Sequence, residues 1–366
     1  MLATFDTAPT RNVLDSGANQ LEQLIAFRNK GLPAAVALRF AISILLDRFL
    51  KMDDIHPPSW RVAGFALSAA GAMLFAIKGV LIKLIYRYGI DTTSLLAMRM
   101  VLAAPVFALV GAQRWQQLDR DVRPGARTVG LAMLVGILGY HISSWLDFQG
   151  LQTLDAQIER LILFTYPFLV ILFGRLLLGH PLRAHALLGA GLSYVGLFVM
   201  FASEPKRLGT AALIGGAFVA IAAVTFALYQ LFARELILRC GPSLFTAIAM
   251  SAAGVTALLG FFLTHPAAAL VPPRGAWALI VALAVFATIV PAFLMSAGTA
   301  RIGAQGTAIV STISPVVTIA LAVMVLGEPF GWPEVLGTIC VLGGIGLFSV
   351  IESRPPLYQV AEEGPA

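Results

Sequence analysis

Charged side chains lie inside strongly apolar stretches of this 366-residue sequence, and they are the residues best suited to chemistry. Glu159 and Arg160 are neighbours in one stretch, and Lys78, Arg99 and Asp147 each lie in another. A charge held away from water is costly unless it is paired, so each one suggests a function. The group predicts either a network of ion pairs that joins helices or an electropositive pocket that binds a substrate carboxylate.

Glu159 is the first choice for a group that gains and loses a proton. The neighbouring charge of Arg160 favours the ionised carboxylate, whereas burial favours the neutral acid. The sequence leaves both outcomes open. If the neutral acid forms, Glu159 can bind and release a proton, and protons are then the coupling ion.

Polar and aromatic side chains in the same stretches complete the candidate site. A polar stripe that faces a cavity or another helix rather than lipid is predicted by four residues at helical spacing, Tyr140, Ser143, Ser144 and Asp147. His141 lies one position away from this stripe, where it either packs against other helices or binds the substrate. Aromatic side chains that either stack on a substrate or pack between helices are Phe75, Tyr166, Phe226 and Tyr229.

Motifs for cofactor or metal chemistry do not occur in the sequence. Two cysteines, Cys240 and Cys340, are too few for a disulfide framework or a typical zinc site. There is no Walker-type phosphate loop and no HExxH pair. The net charge of +6 is spread over loops without a basic run. We therefore expect no catalytic residues, no cofactor, no metal and no nucleic-acid partner.

Long apolar runs dominate the chain, which is 58% hydrophobic and only 12% charged. A membrane span needs about 20 apolar residues, and a backbone in lipid must form its hydrogen bonds within its own segment. The sequence therefore predicts an all-α integral membrane protein with ten transmembrane helices. The runs lie near residues 62–84, 93–112, 127–149, 155–178, 185–202, 210–232, 243–264, 276–298, 305–327 and 334–351.

Lysine and arginine are concentrated in alternate loops, which predicts that both termini are cytoplasmic in a bacterial inner (plasma) membrane. Residues 1–61 then form an N-terminal cytoplasmic segment and residues 352–366 a cytoplasmic tail. Within the first segment, residues 34–50 suit an amphipathic surface helix better than a span. Alternatively, residues 1–51 are an artefact of start-site assignment, and translation begins at Met52. The sequence leaves both alternatives open.

An internal repeat is visible between residues 150–189 and 298–337, which align without a gap at a constant offset of 148. The two halves, 62–202 and 203–351, each contain five predicted helices, an odd number, so the second must be inverted in the membrane. Inverted repeats are typical of secondary transporters that bind substrate between them. Residues identical to their counterparts are Gly150, Ala156, Gln157, Pro167, Leu178, Gly179, Pro181, Leu188 and Gly189.

Each half resembles the EamA domain of the drug/metabolite transporter superfamily. The shared features are an Ala-Gln pair, a proline within the helix, a Leu-Gly-Glu/His-Pro turn and a glycine-rich closing helix, over residues 62–351. The family usually has a glutamate after the Leu-Gly pair. The second half keeps it as Glu328, whereas the first half departs from the pattern with His180. The resemblance implies a carrier that exports amino acids or other small metabolites by exchange or proton coupling, through a cavity lined by the first, third and fourth helices of each half.

The sequence thus predicts a secondary transporter that moves an amino acid or related small metabolite across the lipid bilayer by alternating access, in the efflux direction. Pro167 and Pro315 are the predicted hinges, because proline removes a backbone hydrogen bond and kinks a helix. A non-transporting membrane scaffold or partner protein and a membrane-embedded enzyme stay open as alternatives. A homodimer also stays open.

Overall fold

The computed structural model describes residues 59–179, 184–202, 209–311 and 313–352. Most of the predicted N-terminal cytoplasmic segment, nearly all of the tail and His180 lie outside these ranges. Regular structure within them is helical, and they contain no strand.

Ten helices follow one another along the described ranges, and each overlaps one of the predicted apolar runs. Seven of them, α1 to α4 and α6 to α8, are long and apolar enough to cross a membrane. A multi-pass helical protein is therefore confirmed, whereas the number ten stays a prediction. The helices are α1 (Ser59–Tyr86), α2 (Thr92–Gln117), α3 (Ala126–Leu151), α4 (Ala156–Leu178), α5 (Ala184–Ala202), α6 (Thr210–Cys240), α7 (Pro242–Thr264), α8 (Arg274–Thr299), α9 (Ile313–Leu326) and α10 (Trp332–Glu352).

The two halves repeat their backbone irregularities as well as their helices. α3 and α8 each contain a π-helical turn, Ile137–Ile142 and Val285–Ile289, and the two turns are related by the same offset of 148. Positive φ angles, which glycine adopts without a steric penalty, also recur. Among the described residues they form two matched pairs, Gly89 with Gly241 and Gly179 with Gly327.

α5 and α10 pack closely as an antiparallel pair of equivalent helices. A Cβ atom on Gly189 would lie 2.6 Å from the Gly344 carbonyl oxygen, and one on Gly337 would lie 2.9 Å from that of Gly196. Adding the offset of 148 converts Gly189 to Gly337 and Gly196 to Gly344, so the two contacts are equivalent. The repeats are therefore related by a two-fold-like operation that reverses the helix direction, and glycines permit the close approach.

The helical run that begins in α8 continues to Ser311, but the chain reverses within it. Thr299 Oγ1 donates to Thr307 Oγ1 at 3.2 Å, whereas the same eight residues in a straight helix would span about 12 Å. The equivalent reversal in the first repeat is the turn at residues 152–155, between α3 and α4.

The first helix of each half packs against the other half. α1 contacts α8 and α9, and α6 contacts α3 and α4. This crosswise packing brings the charged positions of α1, α3 and α4 together beside α6.

Candidate functional site

The five charged residues predicted from the sequence lie at one end of the bundle, and they form what we call the charged network. This end, where α1 stops and α2 starts, is named the loop-1 face after residues 87–91. Lys78 Nζ donates to Asp147 Oδ2 at 2.6 Å, which makes a buried ion pair between α1 and α3. Counted along their helices, all five residues lie within about 12 Å of the helix ends at this face.

Glu159 and Arg160 lie in the first turns of α4, against α1. Glu159 is completely buried and Arg160 is 4% exposed. Arg160 Nη2 donates to the Phe75 carbonyl oxygen at 3.3 Å, and its Nε lies 4.0 Å from Glu159 Oε2. Gly79 on α1 allows this approach, because a Cβ atom there would lie 3.3 Å from Glu159 Oε2.

The carboxyl groups of Glu159 and Asp147 are near enough to interact electrostatically. Among the described residues, no donor reaches either oxygen of Glu159 or Oδ1 of Asp147. Two adjacent carboxylates away from water repel each other, so a shared proton stabilises the pair. Lys78 holds Asp147 as the anion, which leaves Glu159 as the group suited to carry an exchangeable proton.

Arg99 joins the charged network through an aromatic ring. Its guanidinium carbon lies 4.9 Å from the Phe148 ring centroid, and Lys78 Nζ lies 5.8 Å from the same centroid. Cations near an aromatic ring are attracted to its face. Arg99 is 4% exposed, and its Nε finds no hydrogen-bond partner in the described part of the chain. His141, half-buried on the π turn of α3, lies near enough to interact with Arg99.

Four of the predicted aromatic residues form a second group, which we call the aromatic chain. Tyr229 donates its hydroxyl proton to Tyr140 at 2.8 Å, and their ring centroids lie 5.0 Å apart. Phe226 connects Tyr229 to Tyr166, with centroid distances of 5.5 and 4.9 Å. Gly139 makes room for this packing, because a Cβ atom there would overlap the Tyr229 ring. The aromatic chain joins α3 and α4 to α6.

The predicted polar stripe on α3 is divided between two neighbours. Tyr140 and Ser143 face α6, where Ser143 Oγ donates to the Ala222 carbonyl oxygen at 3.0 Å, whereas Asp147 faces Lys78 on α1. The described contacts place Ser144, which is half-buried, in neither group. Phe75 contributes its backbone carbonyl to Arg160, which side-chain patterns do not reveal.

The predicted hinge prolines Pro167 and Pro315 occupy equivalent positions in the two repeats, and Pro167 follows a helix interruption. The helical hydrogen bonding of α4 is interrupted at Phe164 and Thr165, and Pro167 lies in the first turn of the segment that follows. Thr165 Oγ1 donates to the Ile162 carbonyl oxygen at 2.7 Å across this break. In the second repeat Pro315 is buried in α9, two residues after the first described residue of that helix, Ile313. Motion at these points stays a prediction.

Glu328, in the loop between α9 and α10, caps a helix of the other repeat. Its carboxylate accepts from the backbone N–H groups of Ala156 at 2.7 Å and Gln157 at 3.2 Å. Gln157 Nε2 donates back to the Pro329 carbonyl oxygen at 2.8 Å. The first N–H groups of a helix lack partners within it, so this contact satisfies two of them in the helix that carries Glu159. Burial raises the pKa of Glu328, and the two N–H donors oppose that rise.

Hydroxyl groups occupy the equivalent position in the second repeat. Thr307, the counterpart of Glu159, is buried and lies 3.4 Å from Ser68 Oγ as well as 3.2 Å from Thr299. Further along, Thr318 Oγ1 donates to the Ala76 carbonyl oxygen at 2.9 Å. We call Ser68, Thr299 and Thr307 the hydroxyl cluster.

Two inverted helical copies, with charged groups buried where α1, α3 and α4 meet, define a membrane transport protein. The chain belongs to the EamA-like transporter family, whose model matches residues 62–202 and 213–350. The resemblance inferred from the sequence is therefore confirmed, and the protein is a membrane transporter.

Two relatives named as transporters agree with this family, and a solved structure shares the fold. The chain is 30% identical over 296 residues to the uncharacterized transporter YcbK of Bacillus subtilis (strain 168), covering 79% of this chain and 91% of that protein. It is 25% identical over 270 residues to the uncharacterized transporter YyaM of the same organism, covering 73% of this chain and 87% of that protein. A crystal structure matches with a TM-score of 0.59 and 18% identity over 81% of this chain and 100% of that chain, which shows the fold alone.

Proposed function

We propose that the protein is a secondary transporter that exports a small metabolite, an amino acid or a related compound, by alternating access. The observation that carries the proposal is the buried charged network around Glu159 and Asp147. A membrane protein retains such costly groups where they serve a substrate or ion pathway. The inverted repeats and the crosswise packing of α1 and α6 support a motion of one half against the other.

Proton coupling is assigned to Glu159. A proton on its carboxyl group lets it donate to Asp147, and loss of that proton places two anions side by side beside Lys78 and Arg160. The substrate carboxylate pairs with Arg99 and Arg160, and the substrate ammonium group beside Glu159 favours the ionised carboxylate, so the substrate displaces the proton. Substrate and proton then bind alternately, which is the linkage that export against an inward proton gradient requires.

The remaining candidate residues are assigned to substrate contact and to motion. The aromatic chain offers flat apolar surfaces and hydroxyl groups to the body of the substrate. Pro167 and Pro315 are assigned as matched hinges. His141, Ser144 and Phe75 are assigned to the lining of the same path through the first repeat.

The proposal includes a topology. All ten helices cross a bacterial inner membrane, both termini are cytoplasmic, and the loop-1 face is external. The support is the excess of lysine and arginine in the loops that this arrangement places inside. No soluble domain lies between the described helices, in keeping with a carrier driven by an ion gradient.

Flux measurements in proteoliposomes test the proposal. Purified protein is reconstituted, and movement of labelled amino acids is followed with and without an imposed pH gradient. Protein-free vesicles are the control. We expect saturable flux of at least one amino acid that responds to the gradient. Flux equal to that of protein-free vesicles across the whole panel would contradict the proposal and favour a scaffold.

A further inference from the structure

A short helical segment at the start of α4, Ala156–Leu163, carries Glu159 and Arg160. Its eight residues are all buried, and the helical hydrogen bonding stops directly after it, at Phe164 and Thr165. An isolated helix shorter than about 12 residues is barely stable. The position of this segment, which we call the α4 head, therefore depends on the groups that hold it from outside.

Contacts along the sides of the α4 head are long or non-directional. Arg160 Nη2 donates to the Phe75 carbonyl oxygen at 3.3 Å, beyond the usual range of about 2.7–3.2 Å for such a bond. Ile158 and Leu161 pack into the apolar core, and the hydrophobic effect has no direction of its own. These contacts keep the α4 head in the bundle, but they define its tilt and rotation less strictly than several short hydrogen bonds would.

The second repeat holds the first residues of the α4 head. Glu328 accepts from the N–H of Ala156 at 2.7 Å and from the N–H of Gln157 at 3.2 Å, and Gln157 donates to the Pro329 carbonyl oxygen at 2.8 Å. Hydrogen bonds to an ionised carboxylate are stronger than neutral ones, and a two-point contact also fixes orientation. The three bonds therefore set where the α4 head begins and which way it faces.

The loop that carries Glu328 is anchored within its own repeat. The N–H of Glu328 donates to the Ala322 carbonyl oxygen at 3.2 Å, and the N–H of Gly331 donates to Glu334 Oε2 at 2.7 Å. The α4 head thus belongs to the first repeat by sequence but is fixed by the second. If the repeats separate at the loop-1 face, the three bonds must break.

We propose that Glu328 is a positioning residue for Glu159, which holds the α4 head in place and closes the loop-1 face between the two repeats. Release of the cap frees the α4 head to swing about the break at Phe164 and Thr165 and to carry Glu159 away from Asp147. The effect on transport rests on the function proposed above for Glu159, whereas the hold on the α4 head does not.

The first repeat has no second copy of this carboxylate in its sequence, because His180 stands at the position equivalent to Glu328. A neutral imidazole has one acceptor nitrogen. It cannot accept two backbone N–H groups as the carboxylate of Glu328 does. The positioning role is therefore assigned to the second repeat alone.

Amide hydrogen exchange of the purified full-length protein in detergent, measured by mass spectrometry at one neutral pH, tests the proposal. Glu328→Ala removes both acceptors, and we expect the amides of the α4 head to exchange about tenfold faster than in wild type. Glu328→Gln keeps one acceptor oxygen and should raise exchange only about threefold. The amides of α7 are the internal reference and should exchange as in wild type.

Further variants complete the exchange experiment. Gln157→Ala removes the donor to Pro329 and is expected to raise exchange in the α4 head about threefold. Glu235→Gln, which changes an exposed carboxylate on α6, is the matched control and should leave exchange unchanged. Equal exchange of the α4 head in Glu328→Ala and wild type would overturn the proposal. An equal rise in α7 would also overturn it, because that result indicates a general loss of stability.

Flux measurements distinguish failure of this inference from failure of the proposed function. We expect Glu328→Ala to lower gradient-driven accumulation of substrate about tenfold, because a displaced Glu159 no longer lies beside Asp147. Faster exchange of the α4 head with undiminished accumulation would overturn the positioning role. A wild-type protein without flux, whose α4 head still responds to Glu328→Ala, would contradict the proposed function and support the hold of Glu328 on the α4 head.

Discussion

The charged network of the first repeat and the hydroxyl cluster of the second occupy equivalent places but differ in chemistry. Glu159 and Thr307 are related by the offset of 148, and each lies in the helix that follows the reversal between α3 and α4 or between α8 and α9. Glu159 adjoins a lysine–aspartate ion pair, whereas Thr307 contacts two other hydroxyls. The backbone plan was duplicated, but at these equivalent places only the first copy carries buried charge.

The difference between the charged network and the hydroxyl cluster indicates which side chains are needed for folding and which for function. Hydroxyl groups bond across helices at little cost, and they suffice to join α1 to α8 and α9. Buried charges are costly and do not improve stability over well-packed apolar residues. Hydroxyl groups could have joined the helices of the first repeat as well. Its buried charges therefore favour a role in binding a substrate or an ion.

The largest expected effect comes from breaking the Lys78–Asp147 pair. Lys78→Met leaves Asp147 buried without its cation, which we expect to lower the free energy of unfolding by about 3–5 kcal/mol. The double variant Lys78→Met/Asp147→Leu removes both charges and should recover most of that loss. Thermal and denaturant unfolding in detergent measure these differences.

An exposed ion pair gives the matched control for that experiment. Arg239 and Glu235 lie 2.9 Å apart on α6 but are 61% and 65% exposed. Arg239→Met should cost less than about 1 kcal/mol, because water screens such pairs. If Lys78→Met were no more destabilising than Arg239→Met, the charged network would not be the desolvated site described above.

The cap that Glu328 provides to α4 is expected to have the next largest effect. Glu328→Ala removes the acceptor for two backbone N–H groups and should cost about 1–2 kcal/mol in unfolding free energy. Because the pKa of Glu328 is raised in the fold, the folded state binds its proton more tightly than the unfolded state does. The stability of the wild type relative to Glu328→Gln should therefore fall as pH rises from about 4, the pKa of an unfolded glutamate, towards the folded pKa.

That pH comparison has a clear contrary result. A difference between wild type and Glu328→Gln that stays constant from acid to neutral pH would show that Glu328 binds its proton equally in both states. A difference that grows with pH would show that the N–H donors outweigh burial.

The hydroxyl cluster is expected to be less sensitive. Thr307→Val keeps the shape of the side chain and removes its hydroxyl, so we expect a loss of about 1 kcal/mol in unfolding free energy and retained proton coupling. Unfolding and gradient-driven flux are the two measurements. Loss of coupling in Thr307→Val would remove the asymmetry between the repeats.

The matched prolines should give the smallest change. Pro167→Ala and Pro315→Ala each restore a backbone N–H donor at equivalent positions, and both should slow transport by about threefold, which corresponds to about 0.7 kcal/mol in the barrier. Membrane insertion should be unchanged. Pro105→Ala on α2, a proline whose equivalent in the second repeat is Ala253, is the control. Wild-type rates in both hinge variants would exclude these prolines as hinges.

Particular residues show how far the sequence could lead. The offset of 148 predicted that Gly179 and Gly327 are equivalent, and the charged residues were found because a charge in an apolar run is conspicuous. The partners were not predictable, since no local pattern says that Lys78 meets Asp147 rather than Glu159. Phe148 was missed because a phenylalanine among apolar residues carries no signal. Glu328 was noticed, but its contact with α4 spans 172 positions in sequence and depends on the fold.

Transport by Glu159→Gln across a range of pH tests the central claim most directly. Glutamine keeps the shape of the side chain and cannot exchange a proton at neutral pH. We expect this variant to exchange substrate across proteoliposomes without accumulating it in response to a pH gradient, while wild type does both. Glu235→Gln, the same change on the surface of α6, should behave as wild type. Undiminished gradient-driven accumulation in Glu159→Gln would contradict the account.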